Sequence, residues 1–224
     1  MGKNVYSLVL SDEVINEIDK LAYANSTSRS NMINQILAEY VSYTTPEKRM
    51  HDIFDRMQSL LLGTDFGRNA FQLQSIPSDT MFSLRSAIAY KYNPSVRYSV
   101  ELYKTLDDNG NFGELRVGLR TQNRALIACI SDFYSFWHRT ECSSFKKVQA
   151  SSDGERYTRK LHLSIPEGSG KDITGLTVGD VISSYINTFD QALKAYFELL
   201  GTGADPDPVI RKIYKQYLKE EVYV

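Results

Sequence analysis

Gly168-Ser169-Gly170-Lys171 is the stretch of this sequence that most suggests phosphate chemistry, because the amides of a glycine-rich turn beside a lysine can cradle an oxyanion. A P-loop also needs a glycine five positions before Gly170 and a hydroxyl residue after the lysine. Ile165 and Asp172 stand there instead, so the stretch reads as a solvent loop. His138 and Cys142 are four apart and could share a helix face, but a zinc site takes three or four ligands, and His51 and His162 fall in separate elements. No metal is expected. The chain is rich in serine yet has no Gly-x-Ser-x-Gly elbow or comparable local signature, so no catalytic residue and no cofactor is assigned, and an enzyme is the weaker class. Cys129 and Cys142 match no paired CxxC pattern and read as buried thiols. The aromatic run Phe133, Tyr134, Phe136 and Trp137 could stack on a ligand or a base; at helical spacing beside Ile130 it reads as core.

Charge offers a second kind of chemistry. A net charge of −1 argues against a generic polyanion binder, but the charge is unevenly placed. Residues 82 to 162 carry 13 Lys and Arg against 8 Asp and Glu, whereas residues 1 to 45 carry 3 against 5. Period-two alternation in the basic middle puts Arg85, Lys91, Arg97, Arg116 and Arg120 on polar strand faces, where Arg156 and Lys160 could join them. Charged outer faces are normal for antiparallel sheets, and Glu101 and Glu114 dilute this one. The functional alternative is a second contact surface for DNA, RNA or a phosphorylated ligand.

The elements that must position these groups follow from the spacing of apolar residues. Val5 to Leu10 reads as a short strand, β-branched, aromatic or aliphatic and without turn residues. Ser11 is a helix cap, Asp12 and Glu13 suit the positive end of a helix dipole, and Val14, Ile15, Ile18, Leu21 and Ala22 recur at helical spacing. After the polar turn 24 to 27, Ser28 caps a second helix carrying Met32, Ile33, Ile36, Leu37, Tyr40 and Val41. Thr45-Pro46 opens a third, with Met50, Ile53, Phe54, Met57, Leu60 and Leu61 on one stripe and Gly63 at its end. From Phe82 to Tyr92 the period is two; Asn93-Pro94 breaks the run, and strands Val96 to Tyr103 and Leu115 to Leu119 return through the turn Asp107 to Gly110. A helix over Ala125 to Arg139, a strand from Arg156 to Ile165, a long helix from Thr177 to Leu200 and a last helix from Asp207-Pro208 complete the chain.

The order of strand, Ser-Asp-Glu-Val, helix, polar turn, Ser-Arg-Ser and helix, over about residues 3 to 42, resembles the ribbon-helix-helix family of DNA-binding proteins. The resemblance implies a homodimer, in which two copies pair their strands into one ribbon and interlock their helices. A strand and two short helices bury too little apolar surface alone, which is an independent reason to expect a second copy. Leu10 precedes the Ser11 cap, so Tyr6, Leu8 and Leu10 should face inward and Val5, Ser7 and Val9 outward. In the family the outward face enters the DNA major groove, with Lys3 here at the end of the ribbon. Family members usually carry polar or basic residues there; two valines, which can contact only thymine methyls, are the main departure. The family's second helix binds a DNA phosphate at its N-terminal amides, and Ser28, Arg29, Ser30 and Asn31 occupy the matching positions. Ser28 could also simply cap its helix.

The expected class is therefore α+β. A ribbon-helix-helix arm over residues 1 to 45 precedes a domain over residues 46 to 224, with a connecting helix at 46 to 63, an antiparallel meander and packed helices. The expected function is a transcriptional regulator or DNA-organising protein that binds double-stranded DNA as a homodimer, with higher assembly left open. The rival is an interaction protein whose arm only dimerises it and whose second domain binds a protein or RNA partner. No apolar run approaches the roughly 20 residues that span a bilayer, and Met1-Gly2-Lys3-Asn4 leads into no signal-peptide core. The expected place is the cytoplasm, with no membrane partner.

Overall fold

Where helical spacing predicts the first two helices, the chain forms α1 (Asp12–Ala24) and α2 (Arg29–Tyr40). The structure is a computed structural model that describes residues 5–63, 71–75, 78–144, 148–163, 175–219 and 224. Lys3, the strand end at Ile165 and the loop Gly168 to Lys171 lie outside the described residues. By its internal contacts the chain divides into two compact units, Met1–Lys48 and Arg49–Val224.

In the first unit, Ser28 accepts from the Asn31 N–H at 3.3 Å and caps α2 as its residue type demands. Ser11 precedes α1 in extended conformation but makes no side-chain cap. The Glu13 carboxyl draws that hydroxyl instead: its own backbone N–H first, and the Ser11 hydroxyl second, hold it below the usual carboxylate range. The buried cluster of this unit is small, consisting of Ile18, Ala22 and Met32 with Ile33 packed against it. Val14, Leu21, Ile36 and Leu37, from the same helix stripes, remain exposed. The strand expected over Val5 to Leu10 does not form in the single chain, because this segment has no ladder partner. A ribbon is thus not part of the observed fold, whereas both helices are.

The third helix, α3 (Pro46–Leu62), is capped by Thr45, whose hydroxyl oxygen accepts from the Lys48 N–H at 3.1 Å. From Met50 onward its stripe of Ile53, Phe54, Met57 and Leu61 enters the core of the second unit, so the helix read as a connection is a core element. Next come β1 (Gln72–Ser75), β2 (Met81–Ala87), β3 (Ser95–Leu102) and β4 (Gly113–Leu119), followed by α4 (Arg124–Ser144). The chain then forms β5 (Ala150–Ser152), β6 (Arg156–Leu161), α5 (Gly175–Leu200) and α6 (Asp207–Tyr217). The strands make one antiparallel six-stranded sheet in the order β1-β2-β3-β4-β6-β5, and the class is mixed α and β.

Alternation sorts the two faces of this sheet. Leu84, Tyr98, Val117 and Tyr157 form one cross-strand row on the inner face, and all are buried. Phe133, Tyr134 and Trp137 of α4 pack there as core, meeting Phe189 of α5. The expected run from Phe82 to Tyr92 stops at Ala87, because Tyr92 and Asn93 adopt positive φ (68° and 44°) and fold the chain back. Tyr92 is consequently exposed. Neither cysteine is a buried thiol: Cys142 is exposed, and Cys129 is half-buried where it packs against the edge of the core. Among the described residues, no helix is long and apolar enough to cross a membrane.

One charged pair lies inside the core. Glu141, fully buried on α4, accepts at Oε1 from Arg159 Nη1 (2.5 Å) and from the Tyr185 hydroxyl (2.8 Å), and at Oε2 from the Tyr157 hydroxyl. Arg159 also donates to the backbone oxygen of Val224 at 2.6 Å, and its guanidinium lies 4.5 Å from the Tyr185 ring centroid. Burial alone would lower the guanidinium pKa, but the Glu141 carboxylate and the surrounding tyrosines reverse this and raise it, so Arg159 stays charged.

Candidate functional site

Two surfaces carry the residues singled out by sequence, one in each unit. In the first unit, Val5 and Val9 are 99% and 101% exposed, while Leu8 and Leu10 are 60% and 37% exposed. The valines are thus the most open apolar side chains of the segment, and Ser7 between them is exposed too. Ser28, Arg29, Ser30 and Asn31 come together at the start of α2 and are all exposed. Arg29 has a partner that sequence reasoning missed. Its Nε and Nη2 donate to the two Asp19 oxygens of α1 at 2.6 and 2.5 Å, and the guanidinium holds the Asp19 carboxyl below the usual range. Both side chains are about half exposed, so water screens the pair. A phosphate could therefore displace Asp19 at small cost.

The second surface is the outer face of the sheet. Register places Gln72, Arg85, Arg97, Gly118 and Arg156 in one row across β1, β2, β3, β4 and β6. The next row is Ser83, Ser99, Arg116 and Thr158, and the third is Met81, Glu101, Glu114 and Lys160. Charge is therefore segregated along the strands. Arg116 reaches into the acidic row and pairs with both Glu101 (3.0 Å) and Glu114, and Lys160 pairs with Glu114 at 2.6 Å. Burial alone would raise the Glu114 carboxyl, but the Lys160 ammonium, the Arg116 guanidinium and the Tyr103 hydroxyl outweigh it and hold the carboxyl below the usual range. Glu114 thus stays ionised and neutralises its end of the face.

The arginine row is different. Among the described residues, Arg85, Arg97, Arg120 and Arg156 have no carboxylate partner. Arg97 Nε donates to Ser99 Oγ at 3.1 Å and its Nη2 to Ser83 Oγ at 3.3 Å, so the side chain is oriented by hydroxyls. Arg85 Nε donates to Gln72 Oε1 at 3.1 Å. A cavity of about 510 Å³ opens on this face, lined by Arg97, Arg116, Arg120 and Arg156 with Asp153 and Glu155. The structure thus brings together three of the five basic residues predicted for this face, with Arg156, one of the two that could join them. Arg85 stands beside the cavity, next to Arg97 in the row. Lys91 does not belong to the face: it sits in the turn after β2, its ammonium 5.3 Å from the Tyr92 ring centroid, because the strand ends before it.

Sequence reasoning also missed Gly118 as a gap in the row, and the two acids at its edge. A signal for the acids was available. Asp153-Gly154 between two short polar-flanked runs is a hairpin turn, in which Gly154 takes φ 90° and Asp153 Oδ1 accepts from the Arg156 N–H at 2.7 Å. His138 and Cys142 do meet, with Sγ 3.6 Å from Nε2, but among the described residues no group of three metal-ligating side chains forms. Comparison of the chain with family models, with curated proteins and with solved structures finds no match.

Proposed function

We propose that this chain is a DNA-binding transcriptional regulator or DNA-organising protein that acts as a homodimer through its N-terminal segment. The observation that carries the reading is the imbalance of the first unit. Its buried cluster holds three residues, while Leu8, Val14, Leu21, Ile36 and Leu37 stay in water. A second copy pairing at residues 5–10 would give each strand the ladder it lacks and bury these side chains, at roughly 25 cal/mol per Å² of apolar area covered. The period-two face that then remains outside carries Val5, Ser7 and Val9, narrow enough for a major groove, with Ser28, Arg29, Ser30 and Asn31 offering hydroxyls, amides and a cation to the flanking phosphate.

One observation favours the rival reading, in which the arm only dimerises the chain: Arg29, the cation nearest the α2 amides, is already held by Asp19. Replacing Ser7 and Val9 with aspartate separates the two. The double variant is expected to remain a dimer while losing at least tenfold in affinity for duplex DNA in a gel-shift assay, because four carboxylates per dimer would face the phosphates. Unchanged binding would place the DNA contact elsewhere.

A further inference from the structure

We propose that the cavity on the outer sheet face of the second unit binds a small phosphorylated polyol, a sugar phosphate by chemical class, independently of the N-terminal segment. Three features of the face point to an anion. Arg85 and Arg97 stand directly opposite each other on neighbouring strands, a like-charge pairing that destabilises a sheet and that a bound anion would relieve. Arg97 and Arg156 flank Gly118, and with strands about 4.8 Å apart they stand on the order of 10 Å from one another across a position that has no side chain. That interval accepts a phosphate group between two guanidinium forks at ordinary charge-assisted distances. Arg97 is pre-oriented by Ser83 and Ser99, and Arg120 and Arg156 have no carboxylate partner among the described residues.

The remainder of the lining selects what the phosphate is attached to. Asp153 and Glu155 would repel a second phosphate and the extended backbone of a nucleic acid, whereas they accept hydrogen bonds from hydroxyl groups. Among the described residues no aromatic side chain lines the cavity to give a base a stacking platform, and Met81 and Leu119 are the only large apolar ones there. A volume of about 510 Å³ lies within the range of small-molecule sites, roughly 300–1,000 Å³. One phosphate, several hydroxyls and little apolar surface describe a sugar phosphate better than a nucleotide or a strand.

Titration calorimetry on the full chain tests this with ribose 5-phosphate, glucose 6-phosphate, adenosine monophosphate, inorganic phosphate, free ribose and a DNA duplex. A sugar phosphate is expected to bind most tightly, inorganic phosphate to compete more weakly and ribose not to bind. Arg97→Ala combined with Arg156→Ala should weaken binding at least tenfold. Gly118→Leu should do the same without altering any charge: a Cβ there meets Glu155 O at 3.5 Å and Arg156 Cγ at 3.8 Å, ordinary contact distances, so the variant can fold while its side chain fills the gap. Lys91→Ala should change nothing. The fluorescence and melting of the single tryptophan, Trp137, in the core verify folding of each variant. No sugar phosphate binding by the folded chain would overturn the proposal. So would binding that survives Gly118→Leu, or duplex binding that depends on Arg97 and Arg156.

Discussion

Leu8→Glu is expected to convert the chain from dimer to monomer in sedimentation velocity, and Val9→Glu, one residue along, to leave it a dimer. The contrast follows from the two-residue period of a strand, which sends neighbouring side chains to opposite faces. In the proposed ribbon Leu8 enters the shared core, where an unpaired carboxylate costs several kcal/mol. A penalty of about 4 kcal/mol raises a dimer dissociation constant by roughly three orders of magnitude. Val9, fully exposed already, would stay in water in the dimer. Because each dimer carries two copies of the change, the effect of Leu8→Glu is doubled at the interface. Equal behaviour of the two variants, both dimeric or both monomeric, would contradict pairing through residues 5–10.

The second large effect belongs to the core of the second unit. Arg159→Met removes the cation that faces Glu141 and leaves a fully buried carboxylate whose remaining donors among the described residues are the hydroxyls of Tyr157 and Tyr185. Breaking a buried pair from one side costs about 3–5 kcal/mol, a large share of the roughly 5–15 kcal/mol that holds a domain together. Denaturant unfolding followed by Trp137 fluorescence reads it directly, since the indole N–H donates to the Tyr185 hydroxyl that in turn donates to Glu141. Arg159→Met combined with Glu141→Gln should cost less than the sum of the single changes, because the lone buried charge exists only in the singles. A loss below about 1 kcal/mol for Arg159→Met would mean that the pair is not desolvated.

What was legible in the sequence was what local chemistry determines. Ser28 and Thr45-Pro46 mark helix starts because their side-chain oxygens satisfy amides that the helix leaves open. The strands carrying Arg85, Arg97 and Arg116 were legible because one face of each is buried. Edge strands were not: Gln72–Ser75 and Ala150–Ser152 pair on one side only and need no apolar alternation. Tyr92 continued the alternation in sequence while its backbone turned away, a choice made by the Tyr92-Asn93 turn and invisible to periodicity. The arginine row needed register, which sets neighbours across strands far apart in the chain; alternation could say which face Arg97 occupies, but not that Arg85 stands beside it and Gly118 next to that. The buried pair did leave a trace. Glu141 continues the Phe133 and Trp137 stripe at four-residue steps, and Arg159 alternates with Tyr157 and Leu161, so one acid and one base both sat where apolar residues belong.

The central claim is DNA binding by a dimer, and the most direct test is fluorescence anisotropy of the full chain titrated onto a labelled duplex taken from upstream of its own coding sequence, over a range of salt. Two chains per site are expected, with the Lys3 and Arg29 of each as phosphate partners. About four counterions displaced predict a slope of log affinity against log salt of roughly −2 to −4. One chain per site, or affinity no greater than for an unrelated duplex at every salt concentration, would contradict it.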